Sequence, residues 1–304
     1  MKALLTGGAG FIGSHLAERL HDDGHAVTIV DDLSNGNPEW IPDAVTILER
    51  DISQQGTLTS ILNDEYDVIF HLAARKAVND ENPQEQFQEN TAMTQEVLAA
   101  ARQHDIADIV FTSSSTVYGE APRPTPEDYA PLEPISAYGA SKLACEGILS
   151  AAAHTNDMNI YTVRFANIIG PRLQGAVIPD FIQKLRNNPD TLEILGNGRQ
   201  QKSYMHIEDC LDAMLHVYEY ADGPVATYNL GTRTTTSVDQ IAEIVSDEMD
   251  LSPEFTYTGG ERGWEGDVPK MRLSIEKLSA LGWSPNTEST PAVRQATQEL
   301  IEEV

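Results

Sequence analysis

Tyr138 and Lys142 stand four residues apart in Tyr138-Gly139-Ala140-Ser141-Lys142. On a helix that spacing puts them on one face. A lysine ammonium beside a phenol favours the phenolate and moves it down from its reference of about 10. A phenol lowered in this way acts as a general base near neutral pH. Upstream, an apolar run ends in Thr112-Ser113-Ser114-Ser115-Thr116, where a hydroxyl from Ser113–Ser115 is placed to hold a substrate oxygen and share the proton. Tyr-x-x-x-Lys alone also describes an ordinary surface pair. The serine run and a glycine loop at the N-terminus set this one apart.

That loop is Thr6-Gly7-Gly8-Ala9-Gly10-Phe11-Ile12-Gly13, between an apolar run and a helical pattern. The Gly7, Gly10, Gly13 spacing suits a turn that needs positive φ and a backbone able to approach a pyrophosphate. The start of the helix, Phe11 and Ile12, then offers backbone N–H groups to phosphate. Asp31 follows the second apolar run, 18 residues after Gly13. A carboxylate there accepts from ribose hydroxyls and repels a 2′-phosphate, which favours NAD over NADP. Asp32 and Asn35 extend the same turn toward the cofactor. Asp51-Ile52, after the third run, is placed to meet the adenine. Leu72, Ala73 and Ala74, after the fourth, would line the cofactor with small groups. Plain packing at a loop start explains these last two segments nearly as well.

The positioning elements read as alternating strands and helices. Strands are expected at Ala3–Thr6, Ala26–Val30, Val45–Leu48, Val68–Ala73, Ile109–Thr112 and Ile160–Phe165. Amphipathic helices are expected at Phe11–His21, Glu85–His104 and Ala137–Ala153, with Phe87, Met93, Val97, Leu98 and Ala101 on one face of the second. Continuous apolar strands between helices indicate a parallel sheet covered on both faces. The fold class is therefore α/β, a doubly wound Rossmann sheet with a smaller C-terminal α/β substrate lobe. Residues 1–167 form the NAD-binding domain, with 204–232 returning to it; 168–203 and 233–304 form the lobe. Helices in that half are expected at Ile178–Asn187, Glu208–Tyr220, Ser237–Met249 and Pro291–Glu303.

The chain of 304 residues carries 47 acidic and 20 basic side chains, a net charge of −27. Such a surface repels nucleic acid and anionic membranes. The acids are dispersed, and 13 arginines exceed 7 lysines. Dispersed acid with little lysine fits a halophilic protein, in which salt screens self-repulsion; an ordinary acidic cytoplasmic enzyme is the alternative. No run of 18 apolar residues occurs, and the apolar start is too short for a signal-peptide core. Two scattered cysteines, Cys145 and Cys210, give no disulfide framework, so a cytoplasmic location is expected.

These motifs resemble the extended short-chain dehydrogenase/reductase superfamily, and most of all the NAD-dependent sugar-nucleotide epimerases of the UDP-glucose 4-epimerase type. The resemblance is carried by Thr6–Gly13, Asp31–Gly36, His71–Ala74, Ser113–Gly119, Tyr138–Lys142, Arg164–Pro171 and Gly282-Trp283. It implies Ser114, Tyr138 and Lys142 as the catalytic set, with Ser114 touching substrate. It also implies Asn90 in a cofactor-facing helix and Asn167 on a substrate phosphate. The implied mechanism has Tyr138 take a hydroxyl proton while the sugar carbon gives hydride to NAD. The 4-keto sugar then turns and receives hydride on its other face. A homodimer through the Met93–Ala101 and Tyr138–Ala153 helices follows from the resemblance; small residues Ala140, Ala144 and Gly147 suit that interface or packing on the sheet.

Related 4,6-dehydratases place an Asp-Glu pair after the catalytic threonine, and related decarboxylases a glutamate. Here Ser115 and Thr116 stand there, which argues against both activities. A non-catalytic NAD-sensing scaffold would be expected to lose the tyrosine or lysine. The resemblance thins in the lobe. Lys202 replaces an arginine, losing bidentate grip on phosphate, and Trp264 replaces another. Either Arg262 takes over from a shifted position or Trp264 stacks on the base. Arg172 and Arg199 are further candidates for the diphosphate. No metal site is expected, and the nucleotide and sugar stay open.

Overall fold

The computed structural model describes residues 1–62, 66–76, 82–264 and 266–303. Glu265, within the motif around Trp264, and the terminal Val304 lie outside the described residues. The chain divides into two compact units: Met1–Val117, Ala137–Arg164 and Leu215–Tyr228 in the first; Tyr118–Ser136, Phe165–Met214 and Asn229–Val304 in the second. The segment returning to the first unit is thus Leu215–Tyr228, and the proline-rich Tyr118–Ser136 groups with the second.

The first unit alternates β1 (Lys2–Thr6), α1 (Phe11–Asp22), β2 (Ala26–Asp31), β3 (Thr46–Glu49), α2 (Thr57–Ile61), β4 (Val68–His71), α3 (Pro83–Gln103), β5 (Asp108–Ser114), α4 (Ala137–Thr155) and β6 (Asn159–Phe165). Its seven-stranded sheet has the order β11-β6-β5-β4-β1-β2-β3, with β11 at Val225–Leu230. The β1/β2, β2/β3, β1/β4 and β4/β5 pairings are parallel. The strand order reverses between β1 and β4, so the crevice for a ligand opens at their carboxyl ends.

Strands buried on both faces account for the near-continuous apolar runs. On one face Leu4, Val30, Ile69, Ile109 and Ile160 pack with Val97, Leu98, Ala101 of α3 and Cys145, Leu149 of α4. On the other, Leu16, Ala17 and Leu20 of α1 are buried, and Tyr218 meets the rings of Phe70 and Tyr161 edge-on. The buried stripe of α3 runs through Gln86, Asn90, Met93, Thr94, Val97 and Ala101, so the expected Phe87 falls outside it and is exposed. Glu96 is buried on α3 because its carboxylate accepts the N–H groups of Gly56, Leu58 and Thr59 at the start of α2. The expected fourth strand is shorter than Val68–Ala73: it stops at His71, and Leu72–Ala74 leave the sheet.

The second unit contains β7 (Asn167–Ile169), α5 (Val177–Asn187), β8 (Thr191–Ile194), β9 (Gln201–Lys202), β10 (Tyr204–His206), α7 (Val238–Glu248), β12 (Thr236–Ser237), β13 (Glu254–Tyr257), β14 (Lys270–Met271), α8 (Glu276–Ala280) and α9 (Ser289–Glu303); α6 (Ile207–Tyr220) begins in it. Its strands form small sheets, β10-β7, β12-β9-β14 and β13-β8. Ser237 and Gln240 form a reciprocal cap at the start of α7.

Candidate active site

The turn after β1 is locally constrained. Gly7 has φ +70°, and a Cβ there would lie 2.6 Å from the backbone of Ala73. A Cβ on Gly13 would lie 2.3 Å from the Gly7 carbonyl oxygen, so α1 meets its own loop at backbone distance. A Cβ on Gly10 would meet nothing nearer than 3.5 Å. Gly10 is also the N-cap of α1, and no side chain caps it. The first-turn N–H groups, including those of Phe11 and Ile12, are therefore left without a side-chain cap, an arrangement that suits an anion.

Asp31 ends β2 and is buried. Its Oδ2 accepts from Ala9 N at 2.9 Å and its Oδ1 from Leu33 N at 2.9 Å. Burial raises its carboxyl above the usual range, while the two N–H donors pull it back. Each oxygen retains a second lone pair for a hydroxyl donor. Asp32 is turned to Ser34, and Asn35 to the Ser34 hydroxyl. Asp51 accepts from Ser53 N and Gln54 in an exposed turn, and Ile52 beside it is buried.

Leu72, Ala73 and Ala74 follow β4 and are fixed from two sides. Leu72 N donates to Thr6 O at 3.0 Å. Asn90, buried on α3, accepts from Arg75 N at 2.8 Å and donates to Arg75 O and to Ser141 Oγ. Asn90 thus anchors the loop and ties α3 to α4. Beneath the loop, the Thr94 hydroxyl donates to Asn90 O, so Nε2 of His71 carries the proton given to Thr94 and Nδ1 accepts from Thr6. Burial, helped by the charge of Lys142, drops His71 to about 3.

Tyr138 and Lys142 share a face of α4, as the spacing requires. The Lys142 ammonium donates to Thr112 O at 2.8 Å and lies 4.8 Å from the Phe111 ring centroid and 5.8 Å from that of Tyr138. Burial brings Lys142 down to about 8. The phenol departs from expectation. Tyr138 is pushed above the ordinary phenol value, because burial strips water from its charged form and the Cys145 sulfur adds to the rise. Among the serines, Ser113 is buried and donates to Glu146 Oε1 at 2.5 Å, whereas Ser114 Oγ accepts from Thr116 N and Oγ1. The Ser114 proton is therefore left for another acceptor at the end of β5. Sequence reading missed Glu146, whose partners Ser113 and Arg164 are distant in the chain, and Lys76, whose ammonium acts on that of Lys142.

In the second unit, Lys202 Nζ lies 2.5 Å from Asp267 Oδ1. Arg262 donates to Asp267 O and pairs with Glu120 at 2.7 Å. These two predicted cations therefore gather on one buried aspartate. Asn167 donates to Ser203 O, the Arg172 amide meets Glu303 of α9, and exposed Arg199 lies in the turn before β9. Among the described residues, no cluster of histidine, cysteine, aspartate or glutamate suits a metal ion, and no helix is long and apolar enough to cross a membrane.

A sequence model of the NAD dependent epimerase/dehydratase family matches residues 3–231. A UDP-glucose 4-epimerase of Mycolicibacterium smegmatis is 31% identical over 316 residues, 98% of each chain. A crystal structure of a UDP-galactose 4-epimerase superposes with a TM-score of 0.91 and 39% identity over 100% of both chains. The UDP-glucose 4-epimerase of Thermus thermophilus, solved in complex with NAD, gives 0.89 and 28% over 100% of both.

Proposed function

Because the chain belongs to the NAD dependent epimerase/dehydratase family, we propose that it is an NAD-dependent epimerase of nucleotide-diphosphate sugars, of the UDP-glucose/UDP-galactose 4-epimerase type. The carrying observation is Tyr138 and Lys142 on one face of α4, with Lys142 bonded to the strand that ends in Ser114. Gly7, Gly10, Phe11, Ile12 and Gly13 hold the pyrophosphate of NAD. Asp31, with Asp32 and Asn35, takes the adenosine ribose; Asp51 and Ile52 flank the adenine. Leu72, Ala73 and Ala74 line the cofactor on the loop that Asn90 holds. Bound NAD supplies a hydride acceptor and a positive ring charge.

Tyr138 accepts the proton of the sugar hydroxyl and later returns it. Lys142 stabilises the phenolate, and Ser114 holds the sugar oxygen. Asn167, Lys202, Arg172, Arg199 and Arg262 take the diphosphate, which makes the second unit the substrate lobe. Gly147 of α4 is exposed and a Cβ there would meet nothing within 4 Å, which supports close approach of a second copy and a homodimer through this helix. Low cysteine content supports a cytoplasmic location, and the acidic surface a halophilic one.

A 4,6-dehydratase is the second reading, since the family includes that activity. Elimination needs an acid and a base after the catalytic hydroxyl. Ser115 and Thr116 provide neither at suitable strength. Incubation in high salt with UDP-, GDP- and dTDP-sugars distinguishes the two. Isomerised sugar of unchanged mass is expected; loss of water from the sugar would establish the dehydratase. Tyr138→Phe should lower kcat by about 10²–10⁴, and full activity in that variant would remove Tyr138 as the base.

A further inference from the structure

Next to the reactive residues lies a buried charge pair, Glu146 and Arg164. Glu146 and Arg164 retain only 11% and 7% side-chain exposure. Arg164 donates from Nε to Glu146 Oε1 at 2.9 Å and from an Nη to Oε2 at 2.7 Å, a two-pronged grip. Ser113 adds a third donor to Oε1 at 2.5 Å. Replacing such a pair by apolar residues is often neutral for stability, so its presence calls for another reason.

Its connections supply one. Glu146 is one turn beyond Lys142 and two beyond Tyr138, on the same face of α4. Ser113 lies between Thr112, whose carbonyl receives Lys142, and Ser114. One carboxylate thus fastens the helix bearing Tyr138 and Lys142 to the strand end bearing Ser114, and Arg164 of β6 fixes the carboxylate. We propose that Glu146 is a positioning residue, which sets the Ser114 hydroxyl against Tyr138 and Lys142 and keeps a negative charge beside the Lys142 ammonium. The inference rests on the reading of Tyr138, Lys142 and Ser114 as the reactive set.

The groups facing Lys142 are Tyr138, Cys145 and Glu146 on its own helix, His71 of β4, Lys76 after β4 and the Thr112 carbonyl of β5. Burial lowers Lys142, Cys145 and Glu146 pull it up, and Lys76 pushes it down. Losing the Glu146 charge therefore lowers the Lys142 titration further.

Three variants test the role: Ser113→Ala, Glu146→Gln, and the double Glu146→Leu/Arg164→Met, which removes both charges together and guards against an unfolded single variant. Displacing a positioned group costs about ten- to a hundredfold in kcat, with KM within about threefold. That split is expected in Ser113→Ala and in the double variant. In lysine-labelled protein without substrate, NMR should show Lys142 titrating lower in Glu146→Gln and unchanged in Ser113→Ala. A folded double variant with the kcat of the parent would overturn the proposal. So would losses that follow the melting temperature alone, or an unmoved Lys142 titration in Glu146→Gln. Tyr138→Phe is run in parallel. If it stays active, the reading of the site fails; if it is inactive while the three variants are not, only the positioning role fails.

Discussion

His71 stays neutral because burial strips hydration from its charged form, and its two ring nitrogens are already committed, one to a donor and one to an acceptor. A second proton would turn the accepting Nδ1 into a donor facing the Thr6 hydroxyl and set a charge near Lys142. The unfolded chain, with a histidine near 6.5, binds that proton, and the native chain does so only near 3. Between those values the unfolded state holds more protons, so stability falls as pH drops from about 6.5 toward 3. The slope for one proton is about 1.4 kcal/mol per pH unit. Denaturant unfolding of the parent and of His71→Gln from pH 7 to 5 should show the parent losing more, and equal slopes would refute this. Asp31 carries a prediction of its own. Asp31→Asn keeps an acceptor for one of the two N–H groups but loses the charge. NAD affinity should fall about tenfold, with the preference for NAD over NADP narrowed, since a charged hydrogen bond contributes about 1.5–3 kcal/mol. Calorimetric titration with both cofactors reads it, and an unchanged ratio would count against the ribose role.

The β1–α1 turn separates two uses of glycine within one element. Gly13 faces its own loop, so Gly13→Ala drives a methyl into backbone that has no free side chain to yield. A Cβ on Gly10 would meet only the Gly7 carbonyl oxygen, at an ordinary contact distance of 3.5 Å, so Gly10→Ala fits the free protein. Gly13→Ala should lower the melting temperature, by about 4 °C or less for each 1 kcal/mol at this size. Gly10→Ala should leave it alone yet weaken NAD binding at least about tenfold, because the methyl stands where the pyrophosphate approaches. Equal effects of both would mean that the loop is only a tight turn. This turn was legible in the sequence because its constraints are local: four glycines, a strand end and a helix start lie within eight residues. The carboxylate at the end of β2 and the Tyr138–Lys142 pair were legible for the same reason. The Ser113–Glu146–Arg164 cluster was not, since its members are 33 and 18 residues apart and no single element contains two of them. Phe87 misled because a helical face about 100° wide admits an aromatic at its edge, and tertiary packing chose Gln86 and Asn90 instead. The phenol misled because spacing shows the lysine but not the loss of water.

At the scale of the whole molecule, a net charge of −27 is spread over a surface of 13555 Å². Self-repulsion then opposes the folded state most strongly in dilute salt, where the Debye length of about 10 Å at 0.1 M lets neighbouring carboxylates interact. At 1 M it falls to about 3 Å, and most of that repulsion is screened. The ion pairs lost to the same screening are chiefly exposed ones, such as Arg19–Asp23 and Arg233–Glu288, each contributing about 0–1 kcal/mol. The buried Glu146–Arg164 and Lys202–Asp267 pairs are screened far less. Screening should therefore stabilise the fold on balance. The melting temperature in KCl should rise steadily from 0.1 M to 1 M, and circular dichroism after dialysis into low-salt buffer should show lost structure. Salt also strengthens apolar burial through excluded ions, so a second protein separates the causes. In it, about ten exposed aspartates and glutamates are changed to asparagine and glutamine, outside the residues assigned to NAD or sugar. If charge is the cause, this protein melts higher than the parent at low salt and gains less from added KCl. If both gain equally, repulsion is not what salt relieves, and the acidic surface has no bearing on stability.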